Sequence, residues 1–169
     1  MAMQFMTNEE KERKLKEIRE YKKKLVDEFV ENQLKHYREA NEKVLYFIAD
    51  FYYRTLSSYD DIDQHCKCLR RQFRAGYCYF FAMMLKDSFN RGEICWAAPF
   101  SHIVWVDEDD TAYDIEGVYE SECEYLIPVS YLGSALGGFK HVRGLEYLVT
   151  EQLIKETIER YKKDLEAKD

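Results

Sequence analysis

The amino-acid sequence predicts an α+β fold. Three observations carry the prediction. Apolar residues recur at helical spacing along a charged N-terminal third; a stretch from Tyr79 to Leu85 is apolar on every side; and several short segments of strand character follow Gly92 before a helical pattern returns at 150–166.

The first helix begins at a capping box. In Thr7-x-x-Glu10 the hydroxyl and the carboxylate each satisfy an orphan amide of the other residue. Leu15, Ile18, Tyr21, Leu25, Phe29, Leu34 and Tyr37 then mark one apolar stripe. The opposite face, "KERKLKEIREYKKK", mixes both charges and reads as a solvated helix surface. Asn41 is a candidate cap for a second helix, "EKVLYFIADFYYRTL", which is apolar almost all round. "SSYDDID" breaks that pattern, and "QHCKCLRRQF" predicts a shorter helix. After Gly76, the Tyr79–Leu85 run predicts a central buried helix, ended at Gly92.

"EICWAA", "SHIVWV" and "TAYDIEGV" predict three strands, the last two joined by the acidic turn "DEDD". "LIPVSYLGSAL" has no clear period, and "GGFKHV" is a candidate final strand. The closing helix carries Ile154, Ile158, Tyr161 and Leu165 on one face. Repeats and Pro/Gly/Ser-rich linkers are absent. Residues 1–58 therefore read as a charged helical arm or helical pair, and 59–169 as the core with its C-terminal helix, in one continuous domain.

A net charge of −7 supplies no general attraction to nucleic acid or to an anionic membrane. No window is apolar enough for a transmembrane helix, and the N-terminus lacks the apolar core of a signal peptide. The expectation is a cytoplasmic protein without a nucleic-acid or membrane partner. Five cysteines, an odd and scattered set, suggest free thiols.

Cys78 stands where a helix N-terminus favours thiolate, the reactive form of cysteine. A thiol nucleophile needs a base, and the base needs an orienting acceptor. Of the four histidines, His36 lies in the charged helix, and His65 and His141 in loops or short elements. Only His102 begins a predicted strand downstream of Cys78. Asp114 interrupts an apolar strand between Tyr113 and Ile115, a place where a carboxylate requires a partner. With a three-residue hairpin loop, His102, Val104 and Val106 share a face with Ala112, Asp114 and Glu116. Asp114 is then opposite or diagonal to His102. A two-residue loop would turn it away, and Glu116 is an alternative carboxylate on the same face.

Cysteine at the start of a buried helix, histidine on a strand and aspartate on the next, in "GYCYFFAMMLKD", "SHIVWV" and "AYDIEGV", resembles the papain-like fold in its transglutaminase-like branch, as found in small bacterial and phage proteins. The resemblance covers roughly Arg74 to Tyr119. It implies Cys78 as nucleophile, His102 as general base and acid, and Asp114 as the residue that orients the imidazole. It implies no cofactor, and a protein or peptide amide as substrate. In papain-like peptidases a glutamine six residues before the cysteine helps form the oxyanion hole, and Gln72 has that spacing. The surrounding "CLRRQFRAG" departs from the peptidase segment, so the backbone amide of Cys78 is the safer donor. The papain-type C-G-S-C-W signature is also absent. The alternative is a non-catalytic interaction protein on the same fold, such as a phage-encoded inhibitor, docking a partner or a second copy through the first helix.

Other signals favour plain readings. "HCKC" lacks zinc spacing and a fourth ligand. "DEDD" lacks the glycine and the closing glutamate of a calcium loop. Neither predicts a metal. Cys95 and Cys123 read as core thiols, and Trp105 faces away from His102 into packing.

Overall fold

The computed structural model describes residues 6–54, 56, 61–120, 122–135 and 151–168. The candidate strand "GGFKHV" and His141 fall outside the described residues. The chain divides into two compact units at Lys67/Cys68, within one helix.

In the first unit, α1 (Asn8–His36) starts at the capping box: the Thr7 hydroxyl accepts from the Glu10 amide and the Glu10 carboxylate from the Thr7 amide. Its solvent face carries i,i+4 ion pairs such as Arg13–Glu17 and Lys24–Glu28, each worth only a few tenths of a kcal/mol or so. The helix packs on α2 (Glu42–Tyr53), which Asn41 caps through the Lys43 amide. Val44, Leu45, Ile48, Ala49 and Tyr52 bury one face of α2, whereas Tyr46 stays exposed. The all-round apolarity of that segment therefore does not make an all-round buried helix. Within α3 (Ile62–Arg74), a His65 ring nitrogen lies 2.7 Å from the Tyr52 carbonyl, so this histidine belongs to local packing.

Among the described residues the second unit holds a five-stranded antiparallel sheet in the order β4-β3-β2-β1-β5. The strands are β1 (Glu93–Ala98), β2 (Ile103–Val106), β3 (Ala112–Asp114), β4 (Gly117–Val118) and β5 (Tyr125–Pro128). The central helix α4 (Cys78–Phe89) packs across β1, β2 and β3. Phe89 stacks on Trp105, whose indole N–H donates to the Arg91 carbonyl, so Trp105 is in packing as the alternation predicts. Cys95, Val104 and Ala112 form a second buried cluster on the other side of the pleat. Two short 3-10 turns, broken by a kink at Gly133 (φ 54°), span Val129–Ala135 in the unclassified "LIPVSYLGSAL" after β5, and α5 (Glu151–Glu166) packs against both these turns and β5.

Two expected boundaries move. Helix α4 ends at Asn90, which takes the left-handed conformation (φ 50°) and returns its amide to the Lys86 carbonyl. Gly92 serves a different need. At φ +71° a Cβ there would stand 2.4 Å from the Val106 carbonyl oxygen and 2.7 Å from the Trp105 indole nitrogen. The segment "TAYDIEGV" is also not one strand. It folds at Ile115-Glu116 into β3 and β4, with Asp114 paired to Gly117. Asp114 accepts the Glu116 amide at 2.8 Å and Gly117 adopts φ 106°, which together close a two-residue turn.

Candidate active site

The geometry begins with the β2–β3 hairpin. Asp107 and Thr111 are joined by a backbone bond of 2.9 Å, and the Asp110 amide returns to the Asp107 carbonyl at 3.1 Å. Asp110 then takes φ 64°. This is a three-residue loop whose last residue forms a bulge, so the acidic run is turn chemistry. The register pairs Trp105 with Tyr113 and Val106 with Ala112. Continued by one pair, it places Val104 opposite Asp114 and His102 on the diagonal. The loop length that the parity argument required is the one present.

His102 lies just before β2, and its carbonyl accepts the Ala97 amide at 2.9 Å. Its Nε2 is 2.9 Å from Asp114 Oδ2. An ionised carboxylate can only accept, so Nε2 carries the proton of this bond. The other Asp114 oxygen is taken by the Glu116 amide. The imidazole ring sits 5.2 Å from the Tyr119 ring, tilted by 46°. Nδ1 is buried and makes no conventional hydrogen bond. The Cys78 thiol is the group that acts on the imidazole besides Asp114, from outside ideal hydrogen-bond geometry. Burial opposes the imidazolium. The hydrogen bond to Asp114, the nearby Cys78 sulfur and the charges of both outweigh it, and the His102 pKa is pushed up to about 9 from 6.5.

Cys78 is the first residue of α4. The N-cap position is Tyr77, whose amide is taken by the Gln72 carbonyl and whose side chain makes no capping bond. The thiol thus stands at the start of a helix whose N-cap residue supplies no side-chain bond to the first turn. Phe73 packs its ring against Tyr77 and Phe81, joining the end of α3 to the start of α4. Cys78, His102 and Asp114 are 3%, 6% and 4% exposed, so the three groups meet in a site largely closed to water.

The structure thus brings three of the four expected site residues together. Gln72 is placed differently: it is exposed on α3, and no hydrogen bond links its side chain to the other three among the described residues. Glu116, the alternative carboxylate, does not reach the imidazole as a bonding partner. It takes Arg74 instead, at 2.6 Å. Arg74 is the residue that the sequence did not single out. Its Nε lies 3.8 Å from Asp114 Oδ2, and Arg70 approaches Glu116 at 3.8 Å. Nothing local in the sequence pairs a helix-end arginine with a turn forty-two residues on.

The remaining thiols differ in kind. All five cysteines are free; Cys68 is exposed, and Cys95 is buried, with its pKa pushed up to about 12 by burial, then by Glu93, against Lys86. Among the described residues no cluster of His, Cys, Asp or Glu is arranged to hold a metal ion, and no helix is long and apolar enough to cross a membrane.

No curated protein and no solved structure matches this chain. A family model described as Phage YunG-like protein matches residues 54–162, a span that holds Arg74, Cys78, His102 and Asp114. That span is more than half of the sequence, and the chain belongs to the Phage YunG-like family.

Proposed function

We propose that this chain is a cysteine-nucleophile acyl-transfer enzyme that acts on an amide bond, on a core of papain-like, transglutaminase-like type. One observation carries the reading. Asp114 holds Nε2 of His102, and the Cys78 thiol acts on the same buried imidazole. An imidazole held by a carboxylate and close to a thiol is arranged to move a proton between sulfur and substrate.

In this cycle His102 holds the thiol proton as imidazolium, and the Sγ–carbon bond forms at the amide carbonyl. The backbone amide of Cys78, at the start of α4, is the donor for the oxygen that gains charge. The imidazolium then gives its proton to the departing nitrogen as the carbon–nitrogen bond breaks. A water or an amine attacks the resulting thioester, its proton returns through His102 to Cys78, and the product is an acid or a new amide. The chemistry needs no cofactor. The substrate is a protein or peptide amide: a main-chain bond, an isopeptide, a glutamine side chain or a peptidoglycan cross-bridge.

Iodoacetamide labelling between pH 5 and 9, with mapping of the modified residue, tests the assignment. Accessibility alone predicts that exposed Cys68 reacts first. Nucleophile activation predicts that Cys78 reacts first despite its burial, that His102→Ala removes the advantage, and that Cys95 is slowest. Cys68 labelling ahead of Cys78 across the range would refute the reading.

A second reading, an interaction protein on the same core, draws on α1. Of its 29 residues only Val30 is buried, and Leu15 is 53% exposed. In this reading α1 docks a partner or a second copy of the chain. It predicts self-association or partner binding that Leu15→Glu weakens, and no preferential labelling of Cys78.

A further inference from the structure

Asp114 is shared. Its Oδ1 accepts the Glu116 amide, its Oδ2 accepts the His102 Nε2–H, and a guanidinium waits beside the second oxygen: Arg74 Nε at 3.8 Å. That separation exceeds a hydrogen bond. It is held there by Glu116, whose Oε2 takes Arg74 Nη1 at 2.6 Å. An arginine released from Glu116 has a bidentate partner within reach in the Asp114 carboxylate, and would compete with the imidazole for it. Arg74 also stands four residues before Cys78, at the last position of α3. Its pair with Glu116 therefore ties the segment that leads into the nucleophile to the turn that carries Asp114.

We propose that Arg74 is a positioning residue for the His102–Asp114 pair, and that Glu116 is the side chain that keeps its guanidinium from claiming Asp114 Oδ2. This deepens the acyl-transfer reading and rests on it for its functional meaning. The geometry itself concerns only how firmly Asp114 holds the imidazole. The charged and titratable groups around His102 are Asp114 on β3, Glu116 on the following turn, Arg74 and Arg70 on α3, and Cys78 on α4, with Tyr119 against the ring. Removing Arg74 withdraws a positive charge from Asp114, which then holds the imidazolium more strongly. Removing the Glu116 charge does the reverse, because it withdraws a negative charge and frees Arg74 to move onto Asp114.

The test is the titration of His102 followed by NMR of its ring protons in the full chain, in wild type, Arg74→Gln, Arg74→Lys and Glu116→Gln. The expected result is an upward shift of the His102 midpoint by about half a pH unit or more in Arg74→Gln, little shift in Arg74→Lys, and a downward shift in Glu116→Gln. An arginine whose charge the His102–Asp114 pair does not feel would move none of these midpoints, and unchanged midpoints in Arg74→Gln and Glu116→Gln would overturn the proposal. Should Arg74→Gln fail to fold, Glu116→Gln keeps the guanidinium and still decides the question through the sign of its shift. The titration is read whether or not Cys78 is reactive. Equal labelling of Cys78 and Cys68 in wild type would therefore sink the acyl-transfer reading without touching this result.

Discussion

Replacing His102 with glutamine is expected to remove a pH-dependent part of the stability of the sheet-bearing unit. Glutamine keeps an N–H donor for the buried Asp114 carboxylate but cannot take a proton in this range. In the native protein the His102 pKa is raised from 6.5 to about 9. The folded state therefore holds a proton that the unfolded state releases, and stability falls as pH rises between those values. Below pH 6.5 both states are protonated and the contribution is complete. Above about 9 both are neutral and it is gone. A shift of about 2.5 units at 1.36 kcal/mol each is about 3 kcal/mol, with little solvent screening for a residue this buried. The assay is urea unfolding from pH 6 to 10, read by tryptophan emission. Both tryptophans, Trp96 and Trp105, lie in the sheet beside the site. With a urea slope of about 2 kcal/mol per molar, 3 kcal/mol moves the midpoint by about 1.5 M. The wild-type advantage over His102→Gln is expected to shrink by that amount from pH 6 to pH 10. An advantage that stays constant across the range would refute the coupling of His102 to Asp114 and Cys78.

Three further outcomes are expected. Gly92→Ala costs about 3 kcal/mol or more, because a left-handed φ and a backbone oxygen 2.4 Å from the new Cβ leave no easy relaxation; the urea midpoint reads it. In Asp107→Asn the Arg91 pair, with contacts of 2.6 and 2.7 Å, is lost. Burial works against the Asp107 carboxylate, but Arg91 and the Glu108 amide hold its pKa below the ordinary value. Its contribution is thus complete above the usual carboxylate range and fades as pH falls, so the difference from wild type narrows in acid unfolding curves. Leu85→Ala, fully buried on α4, costs about 3 kcal/mol, whereas Leu165→Ala, 40% exposed on α5, costs less than about 1 kcal/mol; thermal unfolding distinguishes them.

The α+β architecture, the first two helix starts and the identity of β1 are all legible in the sequence, because each rests on local chemistry. The Thr7 box and the Asn41 cap act within three residues, and "EICWAA" pairs as one uninterrupted strand. The parity argument for Asp114 also needs only period two and a loop length. The turn at Ile115-Glu116 is not visible at that level, because Asp114 uses its second oxygen to close it through the Glu116 amide. The end of α4 is not legible in the sequence for a related reason. Gly92 has the residue type of a helix stop, but an asparagine two positions earlier does that work, while the glycine is required by a backbone on the neighbouring strand.

The order of residues along the chain already names groups of the right type to meet: a cysteine opening an apolar helix, a histidine before one strand and an aspartate on the next. How they meet emerges only with folding: Asp114 sits on Nε2 of His102, Cys78 acts on the same ring, and Arg74, Arg70 and Glu116 surround them. Gln72 and Glu116 illustrate the difference. Spacing nominated both, yet one ends exposed on α3 and the other holds Arg74. The physical reason is range. Caps, turns and alternation are set within a few residues, whereas the partner of a buried charge is whichever group the packing brings within about 4 Å, however distant along the chain.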